Sequence, residues 1–216
     1  MNARINLATA DEAVVTRLVT TLDLPHFIAA TLVSRGIDTP EKAELFLRPN
    51  LEVDWQDPYL IDGMDAAVDR IAQAIRAEEH ILVYGDFDLD GVSATTLMTR
   101  GLRACGGRVT PFIPLRFEEG YGLSDASIER VATYNPQLVV TVDNGIAAKR
   151  EVQLLLEHGI DVVITDHHEP ADLVPVGVPV VDPKCSDNPS AILAGAGVAL
   201  KVMQAVGSRF GKPNLW

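Results

Sequence analysis

The sequence predicts an α/β protein: a parallel, Rossmann-like, doubly wound sheet with helices on both faces, preceded by a helical N-terminal segment. Three observations carry this. After Glu79, near-continuous Val/Ile/Leu runs alternate with helical stretches, which is how a parallel sheet covered on both faces reads. Before Glu79 the apolar residues recur at helical spacing only. Asp86, Asp143, Asp166 and Asp182 each follow an apolar run directly, at the strand end where open parallel sheets bind ligands.

Taken in order, residues 1–78 read as a helical segment packing on the domain that follows. Thr9 and Glu12 are spaced as a capping box ahead of Val14, Val15, Leu18 and Leu22. A second helix is expected from Phe27 to Val33. A third follows Thr39 and Pro40, a cap and first-turn pair, and stops before Pro49. Leu51 to Gly63 reads as a loop, after which Met64, Val68, Ile71 and Ile75 mark a fourth helix. Strands are expected at Ile81–Tyr84, Arg108–Ile113, Leu138–Val142, Asp161–Ile164 and Val178–Val181. Helices are expected at Val92–Ala104, Ser124–Thr133, Ala148–His158 and Gly197–Val206.

Bulk properties narrow the class. The chain has 216 residues, 47% hydrophobic and 22% charged, as a soluble protein of one or two domains has. No apolar run is long enough to span a membrane. The first residues lack the apolar stretch of a secretory signal, so a cytoplasmic location is expected. Cys105 and Cys185 are too few and too far apart for a disulfide framework or a thiolate metal site. The net charge of −12 counts against a nucleic-acid partner, since such proteins usually present a basic face. Bound cations would offset part of it.

The chemistry centres on Asp86-Phe87-Asp88-Leu89-Asp90-Gly91. In an extended chain alternate residues share a side, so three carboxylates would crowd one edge and require cations or strong donors. An EF-hand loop starts in the same way, but its position twelve is Leu97 here and an apolar run replaces the entering helix, so that reading fails. With Asp143-Asn144-Gly145 and Asp166-His167-His168, the set offers oxygen and imidazole ligands suited to Mn²⁺ or Mg²⁺. It holds more carboxylates than one ion needs. Two ions about 4 Å apart, bridged by one carboxylate, would use them all and suit phosphoryl hydrolysis.

These three motifs resemble those of the DHH phosphoesterase superfamily, and within it the single-stranded-DNA exonucleases. The likeness runs through Ser34-Arg35-Gly36-Ile37, Leu45-Phe46-Leu47, Arg116 to Leu123 and Gly195 to Val198. It implies that residues 79–216 are the DHH phosphoesterase domain. It also implies that Asp88 and Asp90 hold separate metals, with Asp86 a further acid, and that Asp143 bridges the two. His167 would bind metal, His168 would face the scissile phosphate, and Asp166 would be a ligand or the carboxylate that orients the pair. Tyr84 stands where many members carry a His ligand. A later metal-binding Asp of the resembled enzymes, and their C-terminal domains, lie beyond Trp216. The domain is therefore expected to be truncated, its metal site incomplete, and the chain alone weakly active.

Two further segments are candidate substrate contacts. Arg116 and Tyr121 suit a backbone phosphate and a base on a single strand; the alternative is an ordinary Gly-rich loop. Gly195 and Gly197 open a helix that could present N–H groups to a phosphate; the alternative is close packing. The function expected is 5′-to-3′ hydrolysis of single-stranded DNA in repair and recombination. The alternatives are a phosphodiesterase of nanoRNA or cyclic dinucleotides, and a non-catalytic scaffold.

Overall fold

The structure is a computed structural model that describes residues 9–50, 53–120, 122–170 and 172–213. The chain divides into two compact units, Met1–Gln56 and Asp57–Trp216. The first contains α1 (Glu12–Leu22), α2 (His26–Ser34) and α3 (Pro40–Leu47), which bury Val15, Leu18, Ala29, Leu32 and Ala43 together. Asp11, not Thr9, caps α1, its Oδ1 accepting from the Ala13 N–H at 2.9 Å. Thr39 caps α3 as expected.

The second unit begins with a 3₁₀ turn at Pro58–Leu60 and α4 (Met64–Arg76). Among the described residues five strands follow: β1 (His80–Tyr84), β2 (Arg108–Phe112), β3 (Leu138–Val142), β4 (Asp161–Thr165) and β5 (Val180–Val181). All neighbouring strands are parallel, in the order β2-β1-β3-β4-β5. The connecting helices are α5 (Leu89–Ala104), the four-residue α6 (Arg116–Glu119), α7 (Asp125–Ala132) and α8 (Lys149–Glu157), and α9 (Gly195–Arg209) closes the described chain.

Alternation along the strands sorts the core into two layers. Ile81, Val83, Val140 and Val163 face residues of α4, α5 and α9, while Leu82, Tyr84, Val139 and Val162 face residues of α7 and α8. The doubly wound sheet is therefore as expected. The fourth helix, read from the sequence as the last part of the N-terminal segment, supplies Met64, Val68 and Ile71 to the core of the sheet. The order of strands reverses between β1 and β3, the switch point at which such sheets open a crevice. The loops after those two strands carry Asp86, Asp88 and Asp143, and the first turn of α5 carries Asp90.

Candidate metal centre

Chain direction changes abruptly after β1. Helix α5 starts at Leu89, inside the acidic motif, so the three aspartates do not share one extended edge as the sequence suggested. Asp86 is 1% exposed and accepts the Phe87 N–H at 2.7 Å. Asp88 is the helix cap, its Oδ1 receiving the Gly91 N–H at 2.9 Å. Asp90 lies in the first turn, where the helix N-terminus favours negative charge. Gly91 allows this tight entry, since a Cβ there would lie 2.6 Å from the Cβ of Asp86.

The loop after β3 is as sharply shaped. Asp143 has φ 61°, a left-handed conformation uncommon for a non-glycine residue and often associated with functional sites. It is 2% exposed, and its Oδ1 has no hydrogen-bond donor. The Nε2 of His167 is only 3.0 Å from that oxygen but is not aligned to donate to it. The same nitrogen is 3.4 Å from Asp90 Oδ2. Burial first, then the charges of Asp90 and Asp88, push the Asp143 carboxyl up to about 7. Asp86 moves upward too, through burial and then Asp88.

The loop after β4 is organised differently. Asp166 is 1% exposed. Its Oδ1 accepts from the His167 N–H at 2.7 Å, the His168 N–H at 3.3 Å and His168 Nδ1 at 2.7 Å. Its Oδ2 accepts from the Ile146 N–H at 2.9 Å. These bonds tie the Asp166 carboxylate to the His167 and His168 backbone, to the His168 ring and to the loop after β3. Burial opposes charge on His168, but the Asp166 hydrogen bond and the nearby carboxylates hold its pKa above the usual value.

Two sets of ligand atoms fall within 4.8 Å of one another: Asp143, His167 and His168, and Asp86, Asp88 and Asp143. Asp143 belongs to both. The donors are hard oxygens and imidazoles, and two of the buried oxygens, Asp143 Oδ1 and Asp86 Oδ2, lack protein donors. Such a set fits divalent cations such as Mn²⁺ or Mg²⁺.

The remaining candidates separate. The Arg116 guanidinium lies 4.8 Å from the ring centroid of Phe87, beside the acidic loop. Tyr121 lies outside the described residues. The Gly195 and Ala196 N–H groups donate to Asp90 Oδ2 at 2.7 Å and Oδ1 at 2.8 Å, so in this structure they hold a carboxylate of the site itself. A Cβ on Gly195 would lie 2.6 Å from Asp143 Oδ1, and one on Gly197 would press on the Leu193 side chain at 3.2 Å. Tyr84 offers no ligand atom: it is fully buried, its hydroxyl donating to the Gly122 carbonyl at 2.8 Å. Asp182 was placed at the correct edge by the sequence but given no role. It is 1% exposed, and burial, with Asp166 adding to it, raises its carboxyl to about 6.

A doubly wound α/β domain with a carboxylate–histidine cluster at its switch point is a class built to hold cations against a ligand. The chain belongs to the DHH family, whose N-terminal domain matches residues 80–215. It is 42% identical over 199 residues to the single-stranded-DNA-specific exonuclease RecJ of Bacillus subtilis (strain 168), covering 91% of this chain and 25% of that relative. For the protein of the same name from Escherichia coli (strain K12) the figures are 36% over 187 residues, 85% and 32%. The crystal structure of RecJ from Thermus thermophilus in complex with Mn²⁺ aligns with a TM-score of 0.71 at 31% identity, covering 96% of this chain and 29% of that one. Its Mg²⁺ counterpart gives 0.61 at 26%, covering 96% and 25%. The chain thus spans about a quarter to a third of the length of the curated relatives it matches. Among the described residues no helix is long and apolar enough to cross a membrane.

Proposed function

We propose that this chain carries the metal-binding, hydrolytic centre of a single-stranded-DNA exonuclease, working 5′ to 3′ in the cytoplasm in DNA repair and recombination. The observation that carries the reading is Asp143: a buried carboxylate with an oxygen lacking any protein donor, shared by both sets of potential ligands. In this reading Asp86, Asp88, Asp90, Asp143 and His167 would hold Mn²⁺ or Mg²⁺, with Asp143, common to both sets of potential ligands, central to them. Such ions supply a hydroxide nucleophile near neutral pH and charge to clamp the phosphate oxygens.

The chain's own groups do the rest. Asp166 holds Nδ1 of His168 and leaves its other ring nitrogen for the scissile phosphate, where the raised pKa keeps a proton available for the departing oxygen. Asp166 thus acts through His168. Arg116, over Phe87, meets a backbone phosphate or stacks on a base, as arginines on single-strand paths do. Tyr121, outside the described residues, is proposed from the sequence alone as a base contact. Gly195 and Gly197 contribute by fixing Asp90 and the helix start beside it. Binding and advance of the strand are shared with the remaining domains of the longer polypeptide, which leaves this stretch alone with weak activity.

Calorimetric titration with Mn²⁺ tests the centre: binding that Asp143→Ala removes is expected, and no binding by the unaltered chain moves the reading to a scaffold. A panel of substrates tests the rest. Cleavage of long single strands from the 5′ end is expected, whereas turnover confined to di- or cyclic dinucleotides would assign the chain to the small-substrate alternative.

A further inference from the structure

The segment that carries Arg116 has little core of its own. Helix α6 is four residues long, Phe117 is 99% exposed and Leu115 48% exposed. It is nevertheless tied at both ends. Glu119, whose side chain is only 7% exposed, accepts the Leu115 N–H at 2.6 Å. From α7, Arg130 grips the same carboxylate with both arms of its fork, at 2.5 and 2.6 Å, and gives a further N–H to the Ile113 carbonyl at 2.9 Å. The Arg130 guanidinium lies 3.8 Å from the centroid of Phe112. Tyr84 stacks on that same ring at 5.0 Å, and its hydroxyl holds the Gly122 carbonyl.

We propose that Glu119, Arg130 and Tyr84 form a brace, seated on Phe112, that positions Arg116 to receive the single strand. The inference rests on the function proposed above. Every tie fixes backbone flanking Arg116: Ile113 and Leu115 before it, Gly122 after it. A long side chain meets a phosphate at low entropic cost only from a fixed backbone. A planar, two-armed Arg–carboxylate contact on a buried ring gives that fixity where an exposed pair would not. Tyr84 then has a use of its own, anchoring Gly122 through its hydroxyl.

Steady-state kinetics on a single-stranded oligonucleotide, with the full-length protein and Mn²⁺, form the test. Glu119→Gln is expected to raise KM about tenfold with kcat held within about twofold, the split expected when binding common to ground and transition states is lost. Arg130→Lys should do nearly the same, because lysine keeps the charge but not the fork. Made on top of Arg116→Ala, Glu119→Gln should add nothing further to KM, as coupled residues behave in a double-mutant cycle. An equal KM increase in both backgrounds would mean general loosening and overturn the brace, as would no increase at all. If Glu119→Gln melts below the assay temperature, Tyr84→Phe, which removes one hydroxyl, takes its place in the same cycle with the same expected and overturning results. Arg116→Ala with unchanged KM would remove Arg116 from the strand path, and the brace with it. An unaltered protein inactive on every single strand would instead overturn the functional reading.

Discussion

Asp143 and Asp166 end neighbouring strands, are equally buried and yet are opposites. Asp166 receives four hydrogen bonds from within the chain. Asp143 has an oxygen with no donor and a carboxyl pushed up to about 7 by burial and by Asp90 and Asp88. At Asp166 the protein itself fills the carboxylate, whereas at Asp143 it leaves an oxygen open in a crowd of like charge, a place for a cation. Residue type and position at the strand end are the same for these two acids; their donors differ.

Substitution should pull the two apart. The largest effect expected is on catalysis: Asp143→Ala in the full-length protein should lower the rate of single-strand hydrolysis by about 10³-fold or more, as loss of a central electrostatic element does. Asp166→Asn should cost about 10–100-fold, the range seen when a group that orients a ligand is changed. In folding the order inverts. Asp166→Asn breaks a filled set of hydrogen bonds, so urea unfolding should show a loss of about 2–3 kcal/mol. Asp143→Asn removes an uncompensated buried charge and should raise the metal-free melting temperature by about 2–4 °C, what roughly 1 kcal/mol gives in a protein of this size. A fall in melting temperature for Asp143→Asn would erase the distinction.

A smaller, pH-dependent effect has the same origin. Because the folded-state pKa of Asp143 lies above its ordinary value of 3.8, its contribution to stability is complete below that value and is lost as pH rises through about 7. The upward shifts of Asp182 and His168 act in the same direction. Metal-free protein should therefore melt at progressively lower temperature as pH rises from about 4 to about 7. Saturating Mn²⁺ should remove most of that slope, and Asp143→Asn part of it; calorimetric melting scans would show both.

Much of this was legible in the sequence. The β-branched runs placed β1 to β4 within a residue or two, because a two-sided core demands unbroken Val and Ile. The acids at the ends of β1, β3 and β4 were legible as one site because a parallel sheet brings those ends to one edge. Local competition hid other features. Helix α5 begins three residues earlier than apolar spacing suggested, because Asp88 caps it, and this puts Asp90 in the first helical turn. Asp11 takes the cap of α1 from Thr9, being close enough to reach the Ala13 and Val14 N–H groups. Long-range partners left no local trace. Nothing in the pattern of α7 marks Arg130 as the holder of Glu119, and nothing near Asp90 points to Gly195.

That last pairing bears on the order of assembly. Asp90 receives both of its backbone donors from residues more than a hundred positions further along the chain, after all five strands. During synthesis, β1, β2, β3, β4 and β5 have all emerged before α9 can reach back and settle Asp90 beside Asp143. A nascent chain halted ahead of Gly195 has every acid of the motif and lacks their final arrangement. The cation pocket thus cannot take its final form before the start of α9 has been made, however early its acids emerge.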